Sequence, residues 1–229
     1  MLGVLMRRII LLLILLTMVA SCAKKTYTQP NQRAVYHNNQ GINFMTRGDL
    51  VRAEQSFLTA TELAPSYPEA YNNLGILEKK KGNLGRAKEY FEKAIEIDKE
   101  YASAYSHLGT VYLDDGDTNT AIEYFNVAIK KDRTFADAYY NRGVAYLEKA
   151  AKSGNDSYLI DVEESFKKAT ELNPNLEYVH YEIAEVYRRL GKFEKALVRY
   201  KLALGDNPES VQTWLRLGSL YIELSQPYK

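Results

Sequence analysis

From Ala34 onward the chain repeats itself with a period of 34 residues, and that period limits what it can fold into more than any other feature. Segments beginning at Ala34, Pro68 and Ala102 are each 34 residues long, and further segments begin at Ala136, Glu177 and Val211. Their eighth positions are Gly41, Gly75, Gly109, Gly143, Ala184 and Gly218, and their fourth are His37, Tyr71, Tyr105, Tyr139, His180 and Trp214. Ala53, Ala87, Ala121 and Ala196 share the twentieth position. Phe57, Phe91, Phe125, Phe166 and Tyr200 share the twenty-fourth, and Ala60, Ala94, Ala128, Ala169 and Ala203 the twenty-seventh. Pro65, Pro174 and Pro208 close three units. Each unit predicts two amphipathic helices, A and B, with small residues where the backbones approach and aromatic residues filling the space between. Gly48, Gly82, Gly116 and Gly191 fall at the A-to-B turn, where positive φ is expected. One pair cannot bury its own apolar face, so the pairs must stack into an elongated all-α solenoid.

The period and the spacing of small and aromatic residues resemble the tetratricopeptide repeat family, with its W-LG-Y…A…F…A…P signature. The resemblance covers residues 34–225 and implies a right-handed superhelix of antiparallel helix pairs, about five and a half repeats long. The expected units are 34–67, 68–101, 102–135, 136–176 and 177–210, with a half repeat at 211–225 and a tail at 226–229. The period also accounts for an odd composition, 19 tyrosines against 7 phenylalanines, because most tyrosines fall on packing positions.

Two departures from the period stand out. The fourth unit carries seven extra residues near Lys149 to Tyr158, close to two helical turns. Helix A is expected to lengthen there before a longer turn at Ser153 to Asp156. The sixth unit has an A helix and then Pro227. Trp214, Leu217 and Tyr221 are therefore expected to lack a B-helix partner and to form a C-terminal docking surface, for a partner protein or a second copy in a homodimer.

The N-terminus is a different kind of sequence. Arg7 and Arg8 precede the apolar run Ile9 to Ala20, which is short against the roughly 20 residues of a spanning helix. This describes a secretory signal, with either Met1 or Met6 as its start. Val19-Ala20-Ser21-Cys22 resembles the lipobox of bacterial lipoproteins. That resemblance implies cleavage after residue 21, acylation of Cys22 with chains such as palmitate, and anchoring in the outer membrane facing the periplasm. Residues 22–33 are polar and read as a tether. Losing Arg7 and Arg8 leaves 28 basic residues against 29 acidic, so no charge excess suggests nucleic acid.

In tetratricopeptide repeats helix A lines the concave groove. Its fifth and sixth positions here include Asn38, Asn39, Asn72, Asn73, His107, Tyr140, Asn141 and Tyr181. Asparagine carries donors and an acceptor, suiting it to the amides of an extended peptide. Tyr178, Arg188 and Arg189 extend the candidate surface, the arginines belonging to a basic cluster with Lys192, Lys195 and Arg199 that would suit an acidic partner. The carboxylate-clamp pattern of the family is absent, since Asn38, Ile42, Ser106 and Thr110 occupy its positions.

Little in the chain suggests catalysis. His37, His107 and His180 stand roughly two repeats apart, too far for one metal, and His37 and His180 fall on packing positions. Asp115-Gly116-Asp117-Thr118-Asn119 begins like a calcium loop, but Thr120 and Asn126 replace the required Gly and Glu. The expectation is a protein with no cofactor and no enzymatic activity. It would present a groove to peptide or secretin-like partners. A lipobox, a short tether and about six repeats resemble the type IV pilus biogenesis lipoproteins of the pilotin type. Adaptors for cell-wall hydrolases or proteases, and regulatory subunits of envelope enzymes, are the alternative readings.

Overall fold

A computed structural model describes residues 30–174, 176 and 179–225. Cys22, the signal segment, most of the tether, Tyr178 and the tail at 226–229 lie outside the described residues. Within them the chain forms eleven α-helices: α1 (Gln32–Thr46), α2 (Leu50–Leu63), α3 (Pro68–Lys80), α4 (Leu84–Ile97), α5 (Ala102–Asp114), α6 (Thr118–Lys131), α7 (Ala136–Ser153), α8 (Leu159–Leu172), α9 (Val179–Arg189), α10 (Phe193–Asp206) and α11 (Val211–Ser225). A 3₁₀ turn at Asp156–Tyr158 precedes α8. Each helix packs on the next in sequence, and α1, α3, α5 and α7 also touch along one side. This is the predicted solenoid. Among the described residues no helix is long and apolar enough to cross a membrane.

Local chemistry sets the helix ends. Asn31, Asp49 and Asp117 cap α1, α2 and α6 by accepting from the backbone N–H groups of Ala34, Arg52 and Thr120. Helix A closes the same way in repeats one, two, three and five. The N–H of Asp49 donates to Phe44 O, Asn83 to Glu78 O, Asp117 to Tyr112 O and Lys192 to Tyr187 O, at 2.8–2.9 Å. That closure needs a left-handed residue just before the donor, and Gly48, Gly82, Gly116 and Gly191 supply it with φ between 67° and 84°.

The signature glycines are explained by contact rather than by φ. A Cβ on Gly41 would lie 2.5 Å from the Phe57 ring, and one on Gly75 2.5 Å from Phe91. Gly109 meets Phe125 and Gly143 meets Phe166 in the same way. The seventh and tenth positions face backward instead. Leu74 and Leu77 pack with Phe57 of the preceding repeat, and Leu108 and Val111 with Phe91. Each B-helix ring is therefore clasped by the A helix of its own repeat and by the next one.

The insertion in repeat four takes the predicted form. The A helix α7 runs to 18 residues, against 13 for α3 and for α5, and ends at Gly154 in the left-handed conformation. The extension is tied to both neighbours: Lys152 Nζ donates to Gly116 O of repeat three at 3.0 Å, and Asp156 pairs with Arg189 of repeat five at 2.6 Å.

Candidate groove of amide and tyrosine rungs

Along the A helices the fifth position of one repeat meets the sixth position of the next. Asn73 Nδ2 donates to Asn38 Oδ1 at 2.8 Å. His107 Nδ1 lies 2.8 Å from Asn72 Oδ1, which as an acceptor fixes the proton on Nδ1. Asn141 Nδ2 reaches Ser106 Oγ at 3.4 Å. These contacts form a ladder of polar rungs across successive repeat seams. Asn38 and Asn72 are buried and spend their oxygens inside it. They are seam residues, not the free peptide-facing groups expected from sequence. Asn39 is exposed, and Asn73 and Asn141 are partly exposed.

Burial, with a smaller contribution from Lys79, pushes the His107 imidazole down to about 4. Its ring stacks on Phe91, with centroids 5.5 Å apart. A neutral imidazole thus does an asparagine's work in the second rung.

The ladder changes character after repeat four. Tyr140 stacks on Phe166 and faces Glu182 rather than an amide. Tyr181 lies edge-on to Tyr200, and its hydroxyl accepts from Gln212 Nε2 at 2.8 Å. Both tyrosines are partly exposed and packed on one side. Tyr200 donates its hydroxyl to Glu185, which also pairs with Arg188 at 3.2 Å and Arg216 at 3.4 Å.

The basic cluster is largely matched within the chain. Arg188 faces Glu185 and, at 3.8 Å, Glu223, and Arg189 holds Asp156. Lys192 pairs with Glu163 at 3.0 Å. Lys195 lies over the Tyr187 ring and Arg199 sits 3.3 Å from His180. Arg188 and Arg189 therefore present no unmatched positive surface to an acidic partner. Neither His37 nor His180 is fully buried, although both were expected in the core.

At the C-terminal end Leu217 is 5% exposed and packs against Tyr200 of the preceding repeat, so it is not a docking residue. It occupies the seventh position, which in Leu74 and Leu108 also faces the preceding repeat. Trp214 and Tyr221 remain 55% and 48% exposed. Val211, Leu215 and Ile222, which sequence reasoning left out, continue their stripe at helical spacing.

Glu78 was also missed. It stands at the eleventh position, where the other units carry Phe44, Tyr112, Tyr146, Tyr187 and Tyr221, and it is completely buried. Asn83 Nδ2 at 2.8 Å, Lys81 Nζ at 3.0 Å and Arg86 at 3.3 Å surround its carboxylate. Burial pushes this carboxyl up. The hydrogen bonds from Asn83 and Lys81 and the two positive charges outweigh that and hold it below the ordinary carboxylate range. A charge breaking an aromatic column is the signal that could have found it.

Residues 69–134 and 181–226 each match the tetratricopeptide repeat family. The chain is a tetratricopeptide repeat protein. Solved structures share this fold over most of its length. Pseudomonas aeruginosa pilF matches with a TM-score of 0.74 at 19% identity, covering 86% of this chain and 88% of that one. YrrB, described as a tetratricopeptide repeat protein with an unusual peptide-binding site, matches at 0.57 and 24% identity, covering 80% and 91%. The thermophilic tetratricopeptide repeat protein TTC0263 of Thermus thermophilus matches at 0.62 and 22%, covering 82% and 99%. No curated protein matches the sequence. Repeat arrays of this family are interaction scaffolds, and their stacked A helices make an extended concave surface. Among the described residues no group of three or more His, Cys, Asp or Glu is placed to hold a metal ion.

Proposed function

We propose that this tetratricopeptide repeat chain is a non-catalytic scaffold of the bacterial envelope, acylated at Cys22 and tethered to the periplasmic face of the outer membrane. Its groove and its exposed C-terminal stripe receive protein partners, and its role is to assist assembly of a type IV pilus or its secretin pore. The observation that carries the reading is the coincidence of two features in one chain: the lipobox-like Val19-Ala20-Ser21-Cys22, and a repeat domain that superimposes on Pseudomonas aeruginosa pilF over most of both lengths. The peptide-binding site named for YrrB, on the same fold, supports a groove that takes an extended segment. Asn39, Asn73 and Asn141 supply its amides and Tyr140 and Tyr181 its aromatic area.

The test is genetic and biochemical. In a strain carrying Cys22→Ser, the protein leaves the outer-membrane fraction, and heat-resistant secretin multimers on denaturing gels are replaced by monomers. Unchanged fractionation sinks the anchor. Normal secretin multimers in a deletion strain sink the pilus role. Asn39→Asp with Tyr140→Ala is expected to remove crosslinked partners without changing the far-UV circular dichroism spectrum; an unchanged partner set refutes the groove.

A further inference from the structure

Between α9, the end of α10 and the start of α11 lies a cavity of about 400 Å³, lined in part by Tyr181, Glu182, Asp206, Gln212 and Thr213. That volume is at the small end of ligand sites, right for a side chain or a small molecule rather than for a helix. Three features weight its charge towards negative, although the Arg216 guanidinium interacts with Tyr181 and His180 with Asp206. Glu182 occupies the sixth position, which contributes Asn73, His107 and Asn141 to the rungs of earlier repeats. Asp206 lies across the cavity from it, on the last turn of α10. The C-terminal end of α10, with Ala203 and Asn207 also on the wall, adds the negative pole of the helix dipole.

Glu182 stands apart from the other acids nearby. Glu163 is held by Lys192, and Glu185 by Arg188 and Arg216, whereas among the described residues no cation or hydrogen-bond donor reaches Glu182. Burial, and then the neighbouring charge of Glu185, push its carboxyl above the ordinary range. A carboxylate partly stripped of water and left without a partner is a costly thing to keep, and a cation in the cavity would remove that cost. Polar bonds fix the lining around it: Gln212 to the Tyr181 hydroxyl at 2.8 Å, and Ser210 to Thr213 at 2.8 Å.

We propose that this cavity is a binding site for a guanidinium or ammonium group, seated between Glu182 and Asp206. The source favoured by its place on the ladder is an arginine or lysine side chain of a peptide lying in the groove, and in that form it rests on the groove reading above. The amide rungs would then hold the peptide backbone without regard to sequence, and this cavity would choose a basic residue at one position. A free small amine is the other source of the same chemistry.

The experiment uses the soluble chain from Ala23 and two pairs of probes at low ionic strength. The first pair is a short fluorescent Ala/Ser/Thr peptide with a central arginine and its citrulline counterpart, which keeps shape and loses charge. The second is butylguanidinium and butylurea, followed by backbone amide shifts at Gln212 and Thr213. The arginine peptide is expected to bind about tenfold more tightly than the citrulline peptide, as a charged, partly buried hydrogen-bonded contact should. Glu182→Gln and Asp206→Asn each shrink that ratio towards one, chiefly by weakening the arginine peptide. Equal binding of the two peptides overturns the site and leaves the groove reading standing. Binding of butylguanidinium but not butylurea, with neither peptide bound, upholds the cation site and overturns the groove reading and the peptide source. Silence from all four probes overturns both. Because the Gln and Asn variants remove no packing volume, a melting temperature no lower than that of the parent shows that any loss is not unfolding.

Discussion

Repeats one to three and repeats four to six follow the same backbone plan but are joined across their seams in different ways. In the first half the rungs are neutral: Asn38 with Asn73, then Asn72 with His107. The apolar cores there form separate small clusters, two of them built around the B-helix rings Phe57 and Phe91 and one of alanines with Tyr67. In the second half one cluster runs from Ala150 to Leu220, and the polar contacts around it are ionic, centred on Glu163 and Glu185. The comparison teaches that a repeat signature fixes the small and aromatic contacts and leaves the seam chemistry free. The first half keeps its A-helix rungs neutral and sets its ion pairs elsewhere on the seams, as in Lys81 with Glu54, Lys88 with Asp115 and Lys131 with Glu100, whereas the second half gathers its charges around Glu163 and Glu185.

The largest effect tests the exception in the first half. Glu78→Ala takes from Lys81 and Arg86 their buried partner, leaving them only the partly exposed Glu54, and is expected to cost about 3 kcal/mol, read by urea unfolding. A cost under about 1 kcal/mol would mean that the first half owes nothing to buried charge. Next comes a matched pair. Gly75→Ala drives a Cβ into the Phe91 ring and should destabilise by about 2 kcal/mol, whereas Gly218→Ala meets nothing within 4 Å and should stabilise by up to about 1 kcal/mol through helix propensity. Equal melting shifts for the two would break the contrast between a filled notch and an open one.

The third effect concerns pH. His107 is held down to about 4 in the fold against an ordinary 6.5, so the unfolded chain takes up its proton first. Its contribution is complete above pH 6.5 and is lost as pH falls through 4; the full shift corresponds to about 3 kcal/mol, which the partial exposure of the ring reduces to about 2 kcal/mol. His107→Asn should flatten that part of the melting curve against pH; an unaltered slope assigns it to other groups. The smallest effect is Glu182→Gln. Removing a poorly solvated charge beside Glu185 should stabilise the fold at pH 7 slightly, by less than about 1 kcal/mol, and so raise the melting temperature, because the raised carboxyl favours its protonated form in the fold. A lower melting temperature would show that Glu182 already has a stabilising partner.

Much of this was legible from spacing. The helix pairs, the turn glycines and the lengthened α7 follow from the period, since each depends on contacts within one unit or with the next. The seam was not legible, because it couples positions 35 residues apart, as between Asn38 and Asn73, and asparagines at adjacent positions look alike until one is turned inward. Leu217 was misplaced for a related reason: helical periodicity marks an apolar stripe without saying which neighbour it faces. The ion pairs of Arg188 and Arg189 depend on Asp156 and Glu223, which no motif connects to them. Glu78 was visible as a column violation, and a repeat signature defined by agreement between units passes over such a residue.

The tie made by the insertion bears on how the array comes apart. In a stack where units touch only their neighbours, ends can fray one unit at a time. The extension of α7 reaches backward through Lys152 to Gly116, and the turn after it reaches forward through Asp156 to Arg189. Repeats three, four and five therefore share two exposed fastenings that the 34-residue period does not supply, so opening one of these repeats also costs its neighbours a contact. Amide exchange should show a slow central block with faster units on either side, which leaves the outer repeats free to adapt while the middle keeps its shape.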